Sequence, residues 1–559
     1  MGQADQQTPQ SSNNSEPATE PRRRLLGFFI GTLRVLAVGL FLAMLFSASL
    51  WLYTRNNTFP LSYHPDEPGK VNQVHSDDRN FRHPQLMLEA TDLWRKWKYG
   101  AGNAPDDRQL TVVDGREVTA FFGACSVVFL TLTAYLCTGW WGLWIGAVAF
   151  GLCPPLLSYS HYMKEDVSLV VGVALTLLAS RVIWRTHRWW SRIPTWALLA
   201  AGCALATSGK YVGIATLVMA VAMILFAPGF RWWKPVARLL LFTPLFVLFL
   251  GIVNHRTLAT DLSLDLVQQV IAKEEPWQSL FNPSFLRGLE YEKEHAQTEH
   301  WGLTAERPNS YMVKTAWRLS WPWVAVGACL FLPAVLLTWR RGWGWELLLL
   351  MFGGGFTYVL SYSIILFPRY TLPIVVIMAL MTVIALTRLL GLLAERRILQ
   401  CTLGVLLTAS LAAIFGTICL DYTWQFGHDS RDALRRWASD PQNIPAGSSL
   451  MGDNYAGLSG YVREGLYCSP VGLLSWNIDP AVAEQSGTTY VVICDMAYDR
   501  FFEPLWVAAP ESERQVARQR AFYQTLLEKH KPVWEIVSPH KASEFTNPTI
   551  KVYRLGGQP

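Results

Sequence analysis

Apolar residues in this chain come in long blocks rather than in alternation. The first block runs from about Leu26 to Tyr53, longer than the roughly 20 residues that carry an α-helix across a bilayer. It also exceeds the core of a signal peptide. Further blocks stand at about 116–137, 141–158, 166–184, 195–211, 213–228, 235–254, 315–338, 344–363, 371–391 and 399–420. Together they predict a polytopic α-helical membrane protein of about eleven transmembrane helices. The tight Thr138-Gly139 turn and the Gly-Lys-Tyr break near 210 are the least marked boundaries, and the second can also be read as one bent helix.

The polar positions orient the blocks. Arg22, Arg23 and Arg24 precede the first, and basic residues beside membrane segments stay in the cytoplasm. Arg181, Arg185, Arg188 and Arg192, then Arg231, Lys234 and Arg238, then Arg340 and Arg341, then Arg396 and Arg397 fall in alternate connections. An odd number of crossings leaves the loops at about 54–115 and 255–314, and residues 421–559, on the outer side. The expected setting is a bacterial inner membrane, with a cytoplasmic N-terminus and a periplasmic C-terminal domain. Residues 1–24 read as a disordered cytoplasmic tail, rich in Gln, Ser, Asn, Pro and Glu. Residues 25–420 would form the transmembrane catalytic domain.

The C-terminal stretch 421–559 reads as a small α/β accessory domain. A helix is expected after Asp429 and another over 511–529; strands are expected at 490–494, 533–537 and 550–553. It contains no Gly-rich phosphate loop, no Gly-x-Ser-x-Gly and no His-Glu-x-x-His. Of nine cysteines, only Cys468 and Cys494 fall in this stretch, where an oxidising compartment could join them.

Composition agrees with a membrane protein: 51% hydrophobic and 16% charged residues with 25 Trp, against about a quarter charged in soluble domains. The net charge of +6 reflects topology-setting residues, so nucleic acid is not an expected partner.

Candidate chemistry lies just past the first block, in Tyr63-His64-Pro65-Asp66-Glu67-Pro68. A carboxylate at a membrane surface can serve as a general base. Glu67 could share a proton with Asp66, hold His64, or position the loop. Downstream, Leu86, Ala90, Leu93, Trp94 and Trp97 recur at helical spacing opposite Glu89, Asp92, Arg95, Lys96 and Lys98. That helix would lie in the interface or pack on its own bundle.

Two cations sit at block ends. Lys210 lies about fifteen residues into its helix, roughly 22 Å along at 1.5 Å per residue, and Arg369 follows Pro368. Intramembrane charges are costly and usually functional. A further connection, Ser160-His161-Tyr162-Met163-Lys164-Glu165-Asp166, offers Glu165 and Asp166 for substrate contact, or simply for a helix dipole. Glu292, Glu294, His295, Glu299 and His300 invite a zinc reading, but His295-Ala-Gln-Thr-Glu299-His300 has one residue too many for His-x-x-Glu-His. No cofactor is firmly implied; a divalent metal, which Glu165 and Asp166 could hold, stays open but is unsupported by ligand spacing.

Several motifs resemble one family. Tyr63-His64-Pro65-Asp66-Glu67, Arg82-His83-Pro84-Gln85-Leu86 and Ala206-Thr207-Ser208-Gly209-Lys210-Tyr211 look like segments of the protein O-mannosyltransferases and the lipid A aminoarabinose transferases. These are polytopic glycosyltransferases of the C superfamily. Glu294-His295, His300-Trp301-Gly302, Phe367-Pro368-Arg369-Tyr370-Thr371-Leu372-Pro373 and Asn547-Pro548-Thr549-Ile550-Lys551-Val552-Tyr553 extend the likeness over nearly the whole chain. Gln85 departs from it, standing where a second proline is usual.

The resemblance implies an inverting transferase that moves a sugar from a polyprenyl-phosphate-linked donor to an acceptor hydroxyl on the outer face. The acceptor is a glycan, a lipid or a protein, and membrane lipids are the remaining partners. It places Asp66 at the family's catalytic acidic position, with Glu67 beside it as a further candidate; the charge building on the departing phosphate calls for cations, for which Lys210, Arg369, His161 and Lys164 are the candidates. Substrate contact falls to Glu165, Asp166, His83, Tyr211, His295, His300 and Tyr370. The competing reading is a transporter or lipid flippase with an outer accessory domain. Transporters, however, usually carry their ionisable residues near the midplane in repeated halves, and no internal repeat is visible here.

Overall fold

A computed structural model describes residues 20–76, 78–186, 192–228, 233–295, 301–305, 324, 327, 329–361, 367–458, 467–471, 490–504, 506–538 and 541–555. Two compact units divide the chain, Met1–Leu45 and Phe46–Pro559. The first holds most of helix α1 (Glu20–Thr54). The second holds the remaining elements.

Six helices are long and apolar enough to cross a membrane: Phe28–Thr54, Arg108–Thr138, Glu165–Arg185, Lys234–Val253, Pro368–Gly391 and Arg397–Ser439. A seventh crossing arises if Trp140–Gly151 and Pro154–Ser160, bent by 49°, form one span. The expected eleven is therefore not reached among the described residues. Blocks 195–211, 213–228 and 344–363 form shorter helices, Ile193–Gly209, Tyr211–Phe226 and Gly344–Leu360. Most of block 315–338 lies outside the described residues. Apolarity alone does not report where a run bends. Pro154 and Pro155 restart the helix after Cys153, and Lys210 adopts an extended backbone (φ −155°, ψ 142°) between a helix and a 3₁₀ turn.

The Thr138-Gly139 boundary is a sharp reversal. Gly139 has φ +77°, the region that favours glycine, and its N–H caps the preceding helix on Tyr135 O at 2.8 Å.

The centre of the second unit is the helix Glu165–Arg185, buried along almost its whole length. It packs against Arg192–Gly209 and Arg108–Thr138. Small residues make the first contact close: a Cβ at Gly172 would lie 2.1 Å from Ala206 N, and one at Gly202 would lie 2.7 Å from Thr176 N. Such seams let helix backbones approach without an apolar driving force in lipid. The consequence is local. The first turn of one helix, carrying Asp166, is brought to the last turn of the other, which leads into Lys210.

The amphipathic segment forms the helix Leu86–Tyr99. It buries Leu86, Met87, Leu88, Thr91 and Arg95, while Leu93 and Trp97 face outward. Arg95, expected on the polar face, is buried in an ion pair with Asp114 at 2.9 Å. The helix thus packs on its own bundle and also presents an apolar edge.

The C-terminal stretch contributes a five-stranded sheet of order β3-β2-β4-β7-β6, made of β2 (Ser449–Asp453), β3 (Tyr467–Val471), β4 (Tyr490–Cys494), β6 (Trp534–Ile536) and β7 (Ile550–Arg554). Strands β3, β2 and β4 run parallel, while β7 is antiparallel to both β4 and β6. β1 (Leu303–Ala305) pairs separately with β5 (Trp506–Ala508). Strand β4 is buried at all five positions, and Phe522, Tyr523 and Leu526 of the helix Glu513–Lys529 join its core. The suggested Cys468–Cys494 bridge does not form. β2 lies between the two strands, Cys468 is in register with Leu450 and hence with Tyr490, and Cys494 is a free, buried thiol. Two strand spacings of about 4.8 Å, with four residues of offset, exceed any disulfide span.

Candidate active site

The loop carrying Asp66 is clamped from both ends of the sequence. Tyr63 is buried, with Arg431 donating to its carbonyl at 2.7 Å and its guanidinium 4.0 Å from the ring centroid. Asp429 caps the helix Ser430–Ser439 and holds Arg431 at 2.7 Å. His64 is buried against Phe545 and Tyr162, with centroids 4.2 and 4.9 Å away. Its Nδ1 accepts the Asp66 backbone N–H at 3.1 Å. Burial, with Lys164, Arg369 and Lys70 also opposing the imidazolium, pushes the His64 pKa well below its ordinary value despite nearby Asp66. A neutral ring suits an accepting nitrogen.

Asp66 lines a cavity of about 450 Å³, together with Lys164, Lys210, Arg369, Tyr370, Arg82 and His83. Its carboxylate stands 2.5 Å from Lys164 Nζ and 3.9 Å from Arg369. Burial alone would raise the Asp66 pKa, but the cations beside it, Lys164 first and then Arg369, outweigh it and hold the carboxyl well below its usual range. The side chain remains 40% exposed, so it can be reached from the cavity. A second cavity of about 220 Å³ lies against the same residue and is lined by Lys70, Gln73, Asn80 and Glu165 as well. Asp66 therefore serves both chambers.

The cations are arranged in pairs. Lys210 meets Asp166 at 2.7 Å and lies 3.8 Å from the Tyr370 ring centroid. Arg369 pairs with Glu544 and lies 3.8 Å from Asp166. Lys70 pairs with Glu165, which is also 3.4 Å from Lys164. Asp166 Oδ2 and Arg369 Nε face each other at 3.8 Å with no closer hydrogen-bond partner among the described residues, and Asp166 stands behind Lys210 and Arg369, outside the lining of both cavities. His83 approaches Glu292 at 3.4 Å on the cavity wall, and burial lowers its pKa well below the ordinary value.

Three expectations need correction. Glu67 does not line either cavity. Its carboxylate is fully buried, takes Arg116 Nε at 2.9 Å and accepts the Met163 N–H at 2.8 Å; it holds the loop. His161 is likewise turned inward: its ring nitrogens lie 2.8 and 3.0 Å from the carbonyls of Leu157 and Arg55, and its ring stacks on Phe426 at 4.1 Å. Tyr211 donates its hydroxyl to Phe81 O at 2.8 Å and is absent from the cavity lining. The His295 side chain and His300 lie outside the described residues.

Other residues at the site were not singled out by the sequence. Lys70 sits one turn beyond Asp66, and its N–H bonds Asp66 O at 3.3 Å, so a lysine four positions after the acid was an available signal. Glu544, Asp495 and Lys541 come from the far end of the chain. Among the described residues no group of three or more His, Cys, Asp or Glu side chains could hold a metal ion.

No protein-family model matches the chain, and no curated protein matches it in sequence. Among solved structures, ArnT from Cupriavidus metallidurans bound to undecaprenyl phosphate is 15% identical, with a TM-score of 0.47, covering 94% of this chain and 99% of that one. The same protein in its apo state gives 15% identity and a TM-score of 0.48 over 94% and 100%. An Archaeoglobus fulgidus oligosaccharyltransferase, in complex with Zn and sulfate, gives 12% identity and a TM-score of 0.43 over 92% and 73%.

Proposed function

We propose that the chain is an integral membrane glycosyltransferase that moves a sugar from a polyprenyl-phosphate-linked donor to an acceptor hydroxyl on the outer face. The observation that carries the reading is one cavity in which a reachable carboxylate, Asp66, stands among Lys164, Lys210 and Arg369. The motif likeness found in the sequence supports the same reading.

The chemistry follows from these groups. The acceptor oxygen attacks the anomeric carbon as the bond from that carbon to the phosphate oxygen breaks, and the electron pair leaves with the lipid phosphate. Asp66 takes the hydroxyl proton, an effect typically of about 10² to 10⁴ in rate. Lys210, Arg369 and Lys164 stabilise charge on the departing phosphate. A single displacement inverts the anomeric configuration. The two chambers meeting at Asp66 offer separate places for donor and acceptor.

Each of these cations already has a carboxylate partner. An entering phosphate therefore competes for them, most directly with Glu544 on Arg369. This gives a test of donor binding. Thermal unfolding of the purified protein should shift upward with C55 polyprenyl phosphate, following ligand linkage. Glu544→Gln should bind the lipid several-fold tighter. An unfolding temperature that saturating lipid leaves unmoved in both proteins would remove the proposed donor.

Lys164 should also tune the base. It is the strongest of the groups lowering the Asp66 pKa, so Lys164→Met should let that pKa rise. Activity requires ionised Asp66; the acid limb of kcat/KM, which reports the free enzyme, should therefore move to higher pH. A limb that stays in place would assign the proton acceptor elsewhere. The same coupling explains turnover: phosphate drawing Lys164 away from Asp66 strengthens the base when the donor is bound.

A further inference from the structure

The cavity wall contributed by the C-terminal stretch has a different chemistry from the cationic one. Asp495, at the end of β4, is 7% exposed at its side chain; Oδ2 meets Lys541 at 2.5 Å, while Oδ1 is buried with no hydrogen-bond partner. Asp499, one turn on, lines the same cavity, as do the aromatic rings of Tyr455 and Trp506. Leaving a buried carboxylate oxygen unsatisfied costs stability, so this oxygen marks a place for a hydrogen-bond donor. Lys541 already balances the Asp495 charge, so the donor need not be a cation. Arg500 lines the same wall, but Asp499 and Glu503 keep it net acidic, which disfavours an anion. A hydroxyl-rich ring fits: its O–H groups donate to Asp495 and Asp499, and its C–H face covers an aromatic ring.

We infer that Asp495 and Asp499, with the rings of Tyr455 and Trp506, form a carbohydrate subsite that reads the hydroxyls of a sugar. The inference rests on the glycosyl-transfer reading and deepens it. The sugar comes either from the donor or from an acceptor glycan.

The test uses the full chain in detergent and a panel of methyl glycosides, comprising hexoses, pentoses and aminohexoses, followed by saturation-transfer NMR. At least one glycoside should bind the wild type, and Asp495→Asn should weaken it at least tenfold. Asp499→Asn, further from the strand, serves as the second variant if the first fails to fold. C55 polyprenyl phosphate without sugar should bind wild type and both variants alike. If the variants also lose the preference for sugar-bearing over bare polyprenyl phosphate, the subsite reads the transferred sugar; if that preference is intact, it reads the acceptor.

Failure of every glycoside to bind the wild type overturns the subsite. So does binding equal in wild type and variants, or a parallel loss of bare-lipid binding that shows Asp495 to be a structural pair for Lys541. Glycoside binding that depends on Asp495, in a protein that ignores polyprenyl phosphate, keeps the subsite and refutes the donor instead.

Discussion

Asp66→Asn should lower the rate of sugar transfer by about 10² to 10⁴ while leaving folding and polyprenyl-phosphate binding intact. The substitution keeps the side chain's shape and touches none of the contacts that build the loop. The bond from the Asp66 N–H to His64 Nδ1 is made by the backbone, and Arg431 grips Tyr63 through its carbonyl. Only the negative oxygen is lost. Lys164 keeps Glu165 at 3.4 Å, so it is not left without a partner. Removing a carboxylate from beside the phosphate cations should, if anything, tighten lipid binding. The measurement is single-turnover transfer at saturating donor, with lipid binding followed in parallel. Wild-type rates in the variant would remove Asp66 as the base.

Arg116→Met should have the largest effect on folding. Arg116 and Glu67 both have fully buried side chains. The guanidinium also donates to the carbonyls of Asn57 and Phe59 at 2.8 and 2.6 Å, and it lies 3.5 Å from the Phe59 ring centroid. One side chain thus ties the end of the first membrane helix to the start of the helix behind Asp66. Removing it leaves Glu67 buried with only the Met163 N–H and takes a donor from the carbonyls of Asn57 and Phe59, of which Phe59 O keeps Gln109 Nε2 at 3.0 Å. Breaking a buried pair from one side costs about 3 to 5 kcal/mol. Denaturant unfolding in detergent measures it. A loss below about 1 kcal/mol would show that the pair contributes little. Glu67→Gln should follow the same pattern more mildly, losing stability before it loses chemistry.

Much of the framework was legible because it depends on local pattern. The block at 166–184 is the helix Glu165–Arg185, and the strand expected at 490–494 is β4. Asp429 caps its helix through its own side chain, accepting the Arg431 N–H at 2.9 Å, as Asp at that position commonly does. The break near Lys210 was visible too, although its purpose was not: the extended backbone aims the ammonium at Asp166 across a seam of small residues.

What escaped was fixed by contacts distant in sequence. Strands β2 and β3 are short and carry Gly, Ser and Pro among their apolar residues, so neither shows a clear period. Pairing with β4 decides them. His161 looked like a phosphate ligand because its position in the chain was right; its ring direction follows from stacking on Phe426, which no local pattern contains. Of the roles left open for Glu67, the contacts fit the positioning of the loop, with Arg116 drawing its carboxylate away from the cavity, a partner that no local pattern contains. Glu544 reaches Arg369 only once the C-terminal stretch folds back over the loop, with Tyr162 meeting Ser543 at 2.9 Å.

The central claim is a chemical one, and turnover tests it most directly. The purified full chain would be given a panel of C55 polyprenyl-phosphate monosaccharides with and without candidate acceptors, in parallel with Asp66→Asn, and release of the lipid phosphate would be followed. The account predicts that at least one donor is consumed by the wild type, that the variant is slower by at least a hundredfold, and that the product has inverted anomeric configuration. Consumption that is equally fast without the Asp66 carboxylate, or retained configuration, would contradict it.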